Sequence, residues 1–132
     1  MAIVLLFHHA LGLTDGLKGF AERLRDAGHT VHCPDLYDGR TFTDVNEGVQ
    51  HAESIGFGNI MAMGEEFAAS LPGGLVYAGF SLGVLPAQKL AQTRPGGRGA
   101  LLYHDVIPAE FLDSTWPTAL PVQIHVSESD PW

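Results

Sequence analysis

The chain has 132 residues, the length of one domain at roughly 150 residues per domain, and long enough to bury about two-thirds of its surface. Apolar residues make up 45%, too many for a disordered chain, and 15 acidic against 7 basic residues give a net charge of −8. That balance argues against nucleic acid and against an anionic membrane surface, both of which need clustered Lys and Arg. The single cysteine, Cys33, excludes an internal disulfide framework and a multi-thiolate metal site, and fits a reducing, cytoplasmic setting. The apolar run over residues 2–7 is too short to span a bilayer and has no basic segment before it, so neither a membrane span nor a signal peptide is expected.

The elements alternate along the chain. Residues 2–8 form a continuous apolar run that reads as a buried strand. After a loop over residues 12–16, with Thr14 or Asp15 as possible caps, Leu17, Phe20, Ala21 and Leu24 recur at helical spacing up to about Ala27, and Gly28 ends the helix. Residues 30–33 form a second short strand closed by Pro34. Residues 35–43 are polar and read as a loop. Residues 44–70 are mostly helical, with a break expected around Gly56 to Gly58. Pro72-Gly73-Gly74 is a turn before a third strand, Leu75–Phe80. Residues 82–93 have helical spacing, with Pro86 tolerated in the first turn. Residues 98–103 lead into a fourth strand, and 122–126 form a fifth.

Short apolar strands separated mainly by helices specify a single α/β domain over residues 1–132. It is three layers deep, with a mostly parallel sheet between helices. Ligands in such sheets bind beyond the carboxyl ends of the strands. The informative residues are therefore His8, His9 and Ala10; Pro34 and Asp35; Ser81; His104 and Asp105; and Glu128 and Asp130.

Gly79-Phe80-Ser81-Leu82-Gly83 stands between a predicted strand and a predicted helix. That is the context of the G-x-S-x-G nucleophile elbow. A serine on so tight a turn takes a strained backbone, and the small residues two before and two after it let strand and helix approach. The Leu82 N–H then lies at a helix N-terminus, where it can stabilise an oxyanion. Acyl transfer needs a second oxyanion donor, for which the loop His8-His9-Ala10-Leu11-Gly12 offers the Ala10 N–H, with Leu11 next. It also needs an acid after a later strand. Asp130 fits that position, with Glu128 as the weaker alternative.

These residues together resemble the dienelactone hydrolase family of α/β-hydrolases. The resemblance runs over nearly the whole chain: His8-His9-Ala10-Leu11-Gly12-Leu13, Cys33-Pro34-Asp35-Leu36-Tyr37, the elbow with Ala78 before it, and Ser127-Glu128-Ser129-Asp130-Pro131-Trp132. It implies a compact α/β-hydrolase fold and hydrolysis of small carboxylic esters or lactones, with no metal or organic cofactor. Ser81 would be the nucleophile, Asp130 the triad acid, and Ala10 and Leu82 the oxyanion hole. The best-known members place Cys where Ser81 stands and a carboxylate where His9 stands, so a broader short-chain esterase is expected rather than a dienelactone enzyme in particular.

In this fold the catalytic histidine follows the acid after one more strand. None of the seven histidines follows Asp130. The expectation is therefore a C-terminally truncated chain lacking the last strand and helix, with the base beyond its end. His9 and His104 are the candidate pocket residues and the only substitutes for that base. His29, His32 and His51 read as surface or filler residues, and His125 as a core residue. His8 and His9 are adjacent, so at most one faces the elbow and they make a poor metal pair. Tyr37 and Arg40 read as surface loop residues that border the pocket at most. A small ester or lactone is the expected partner, and a monomer is expected if the chain is complete. The rival reading is a catalytically inactive α/β-hydrolase fold that binds a small ligand or a protein. A flavodoxin-like or response-regulator-like domain is less favoured, because the loop after the first strand lacks a phosphate-binding glycine cluster and the acidic pair is absent.

Overall fold

The computed structural model describes residues 2–103, 116–117 and 119–125. The elements in order are β1 (Ile3–Phe7), α1 (Asp15–Asp26), β2 (Thr30–His32), α2 (Val45–Ile55), α3 (Phe57–Ala69), β3 (Leu75–Phe80), α4 (Val84–Thr93), β4 (Gly99–Tyr103) and β5 (Val122–His125). A 3-10 turn over Ser81–Gly83 joins β3 to α4. The helix expected from residue 82 thus begins with one tighter turn. The break expected around Gly56 to Gly58 falls at Gly56, whose φ of +96° a residue with a side chain rarely adopts.

The strands form one sheet in the order β2-β1-β3-β4-β5, and every pairing is parallel. Parallel strands covered on both faces must be apolar on both, and β1 shows it. Leu5 and Phe7 enter one core with Ile60, Val84, Ala87 and Leu90. Val4 and Leu6 point the other way, into a second core with Leu17 and Ala21 of α1. Helices therefore cover both faces, in the three-layer arrangement of an α/β-hydrolase. Helix α1 starts where Thr14 Oγ1 accepts the Leu17 N–H at 3.4 Å, so Thr14 rather than Asp15 is its cap. No helix among the described residues is long and apolar enough to cross a membrane.

The chain leaves β1 for β2 on one side and returns to β3 on the other. Loops beyond the carboxyl ends of β1 and β3 therefore diverge, which is where open parallel sheets form their ligand crevice.

Candidate active site

Phe7 pairs with Gly79 across β1 and β3, so the two strand ends lie side by side. The His8-His9-Ala10 loop and the Ser81 turn therefore start side by side at the same end of the sheet before the chain diverges. Ser81 has φ +53°, a left-handed conformation that costs a residue with a β-carbon roughly 1–2 kcal/mol. Such strain persists only where the surroundings impose it. Here the two glycines impose it. A β-carbon on Gly79 would stand 2.3 Å from the Gly83 carbonyl oxygen, and one on Gly83 would stand 2.3 Å from the Phe7 carbonyl oxygen and 2.7 Å from that of His8. Strand, turn and helix meet backbone to backbone, and the turn is pressed onto the end of β1. Ser81 itself is partly exposed. The Leu82 N–H lies in the first helical turn, among amides that have no partner within the helix.

The loop after β1 is tied in several directions. The His9 carbonyl accepts from His8 Nδ1–H at 2.8 Å and from the Gly12 N–H at 3.1 Å. The Leu11 N–H donates to His9 Nδ1 at 3.3 Å, which places the ring proton of a neutral His9 on Nε2 and makes that nitrogen a donor rather than a base. Leu11, the second choice for an oxyanion donor, thus has its N–H engaged. Ala10 is buried, and its carbonyl lies against α2 so closely that a β-carbon on Gly48 would be 2.3 Å from the oxygen.

His8 is fully buried, and its Nε2 accepts the Leu36 N–H at 2.9 Å. Burial pushes its pKa below the ordinary 6.5. The hydrogen bond to the His9 carbonyl and the Asp35 carboxylate, 3.9 Å from Nε2, oppose that shift without overcoming it. His8 therefore belongs to the scaffold under the site.

The segment after β2 folds over this loop. The Asp35 carboxylate accepts the Tyr37 and Gly39 N–H groups at 2.9 and 2.8 Å, and Asp38 turns the chain at φ +53°. Tyr37 is consequently buried, not on the surface as its polar neighbours suggested. It donates from its hydroxyl to the Gly48 carbonyl at 3.3 Å, and burial pushes its pKa to about 12. His51 packs edge-on against Tyr37 with ring centres 4.7 Å apart, so it fills space as expected. Arg40 is exposed, its guanidinium 5.7 Å from the ring centre of Phe42. His29 Nδ1 accepts the Ala2 N–H at 3.0 Å.

The core reading of His125 does not hold. β5 is the outer strand of the described sheet, and Gln123, Ile124 and His125 on it are exposed. The His125 ring instead stacks on Tyr103 at 5.0 Å, and Tyr103 stacks on Phe80 at 4.5 Å. His104, Asp105, Glu128 and Asp130 lie outside the described residues. Of the named site residues, Ser81 and Leu82 follow the end of β3 while His8, His9 and Ala10 follow the paired end of β1, and Gly83 beside them lies against the Phe7 and His8 carbonyls.

A parallel α/β sheet with a left-handed serine in a Gly-x-Ser-x-Gly turn between strand and helix is the arrangement of the α/β-hydrolase fold. The chain belongs to the dienelactone hydrolase family, whose model matches residues 1–132. No curated protein matches the sequence. Among solved structures the chain is similar to m3DLH, at 19% identity and a TM-score of 0.66, over 98% of this chain and 61% of that one. It is also similar to a dienelactone hydrolase-like promiscuous phosphotriesterase from metagenomic libraries, at 21% identity and a TM-score of 0.60, over 79% of this chain and 47% of that one. A pyrethroid hydrolase from Sphingobium faniae JZ-2 follows at 23% identity and a TM-score of 0.53, over 77% of this chain and 39% of that one. The matched region thus spans from 39% to 61% of the length of these three proteins.

Proposed function

We propose that this chain carries the nucleophile half of a hydrolase acting on small carboxylic esters or lactones. One observation carries the reading: Ser81 sits at φ +53° between two glycines that admit no β-carbon. In this reading Ser81 Oγ attacks the acyl carbon and its proton passes to a histidine base beyond residue 132. The Ala10 and Leu82 N–H groups receive the negative charge on the carbonyl oxygen. The C–O bond to the leaving group then breaks, the leaving oxygen takes the proton from the base, and water hydrolyses the acyl–serine ester. Asp130 orients the base. The family, and neighbours such as the dienelactone hydrolase-like phosphotriesterase and the pyrethroid hydrolase, support this chemistry, and the acidic composition with one cysteine supports a cytoplasmic setting.

The test is rapid mixing of the full-length protein, its histidine base included, with p-nitrophenyl acetate. The reading expects a burst of nitrophenolate that approaches one equivalent and disappears in Ser81→Ala. Saturable ligand binding with no burst would favour the inactive binding module instead.

A further inference from the structure

The loop that bears Ala10 is held by a histidine with both ring nitrogens committed. His8 Nδ1–H donates to the His9 carbonyl at 2.8 Å, and Nε2 accepts the Leu36 N–H at 2.9 Å. Only a neutral imidazole with its proton on Nδ1 satisfies both partners. No cis peptide occurs among the described residues, so the His9 carbonyl and the Ala10 N–H point from opposite edges of one planar unit. Holding the carbonyl inward therefore turns the N–H outward. The next carbonyl, that of Ala10, is pressed against Gly48 of α2, which leaves the peptide little room to rotate.

We propose that His8 is a positioning residue for the serine site, setting the His9–Ala10 peptide so that the Ala10 N–H faces the developing oxyanion. This rests on the reading of Ser81 as nucleophile. It also makes the site sensitive to acid. A second proton on Nε2 would oppose the Leu36 N–H. The charged or titratable groups beside the ring are the Asp35 carboxylate at 3.9 Å, the adjacent His9 and the edge-on Tyr37 phenol, backed by His51. Asp35 is the one able to accept that proton's hydrogen bond, and it already holds the Tyr37 and Gly39 amides.

The two halves of the imidazole can be replaced separately. In His8→Asn the amide nitrogen stands near the place of Nδ1 and can still donate to the His9 carbonyl. In His8→Gln the amide oxygen reaches the place of Nε2 and can accept from Leu36, but the donor to His9 is lost. The experiment measures the rate at which a fluorophosphonate labels Ser81 in the full-length protein, unmodified and as each variant, with thermal melts of each. His8→Gln should slow labelling about 100-fold, the scale of a misplaced catalytic group, and His8→Asn no more than about 10-fold, at comparable stability. Equal rates in the two variants, or rates that follow the melting temperatures, would overturn the proposal.

If neither variant folds, 15N spectra of the unmodified protein decide. A protonated Nδ1 and a bare Nε2, with labelling that slows as His8 itself titrates, support it. The opposite tautomer, or labelling indifferent to that titration, overturns it. No labelling of the unmodified protein at Ser81 would remove the nucleophile reading and this proposal together. Labelling that ignores His8 would remove only the latter.

Discussion

Gly83 and Phe7 meet backbone to backbone: a β-carbon on Gly83 would stand 2.3 Å from the Phe7 carbonyl oxygen. This contact joins the serine turn to the last residue of β1 and so places it beside the loop that carries Ala10. Neither partner can yield easily, since Phe7 is fully buried and its backbone pairs with β3.

Gly83→Ala should therefore lower stability by more than about 2 kcal/mol, the range of an overpacked core, and abolish labelling of Ser81. Gly19 is the control. It lies in α1, where a β-carbon would meet nothing within 4 Å. Gly19→Ala should raise stability by about 0.5–1 kcal/mol. Urea melts of both variants check the pair.

Replacing the strained serine should stabilise the fold while removing its chemistry. In Ser81→Gly the cost of φ +53° disappears, partly offset by the freer unfolded chain, for a gain of up to roughly 1 kcal/mol. Asp38→Gly relieves the same φ in a loop and should leave Ser81 labelling in place. A lower melting temperature for Ser81→Gly would mean that the turn is not under strain.

Stability should fall in mild acid because of His8. Its folded pKa lies below the unfolded value of 6.5. Between those two values the unfolded chain holds more protons, so stability rises with pH there. The His8 contribution is complete above about pH 6.5 and declines as pH drops from there to the folded value. Urea midpoints at about pH 7.5 and about pH 5 should differ, and His8→Asn should reduce the difference.

Cys33 should be a poor nucleophile. Burial pushes its thiol up to about 11, with nearby Arg25 opposing, so little thiolate exists at neutral pH. Iodoacetamide should modify the folded protein far more slowly than the urea-unfolded chain. Cys33→Ser should leave Ser81 labelling unchanged.

β1, β3 and β4 were legible because each is an apolar run that ends at a polar residue, and β3 has the bounds its sequence announces, Leu75–Phe80. The serine turn was legible because glycine spacing and the strand-to-helix context are both written locally. Tyr37 was not legible. Its neighbours are polar, and its burial depends on Asp35 accepting two amides across the turn. His125 was misread because a strand's local sequence does not reveal that it is the outer strand of the described sheet. Gly48 left a faint trace, a glycine inside a helical stretch, which costs about 1 kcal/mol against alanine unless packing requires it. The packing that requires it, against the Ala10 carbonyl, is a long-range contact that no local pattern encodes.

The most direct test of the central claim is the site of a covalent adduct. The full-length protein is incubated with a fluorophosphonate, digested, and its peptides mapped by mass spectrometry. The account predicts one adduct, on Ser81, and none in Ser81→Ala. No adduct, or an adduct on another residue while Ser81 remains unmodified, would contradict it.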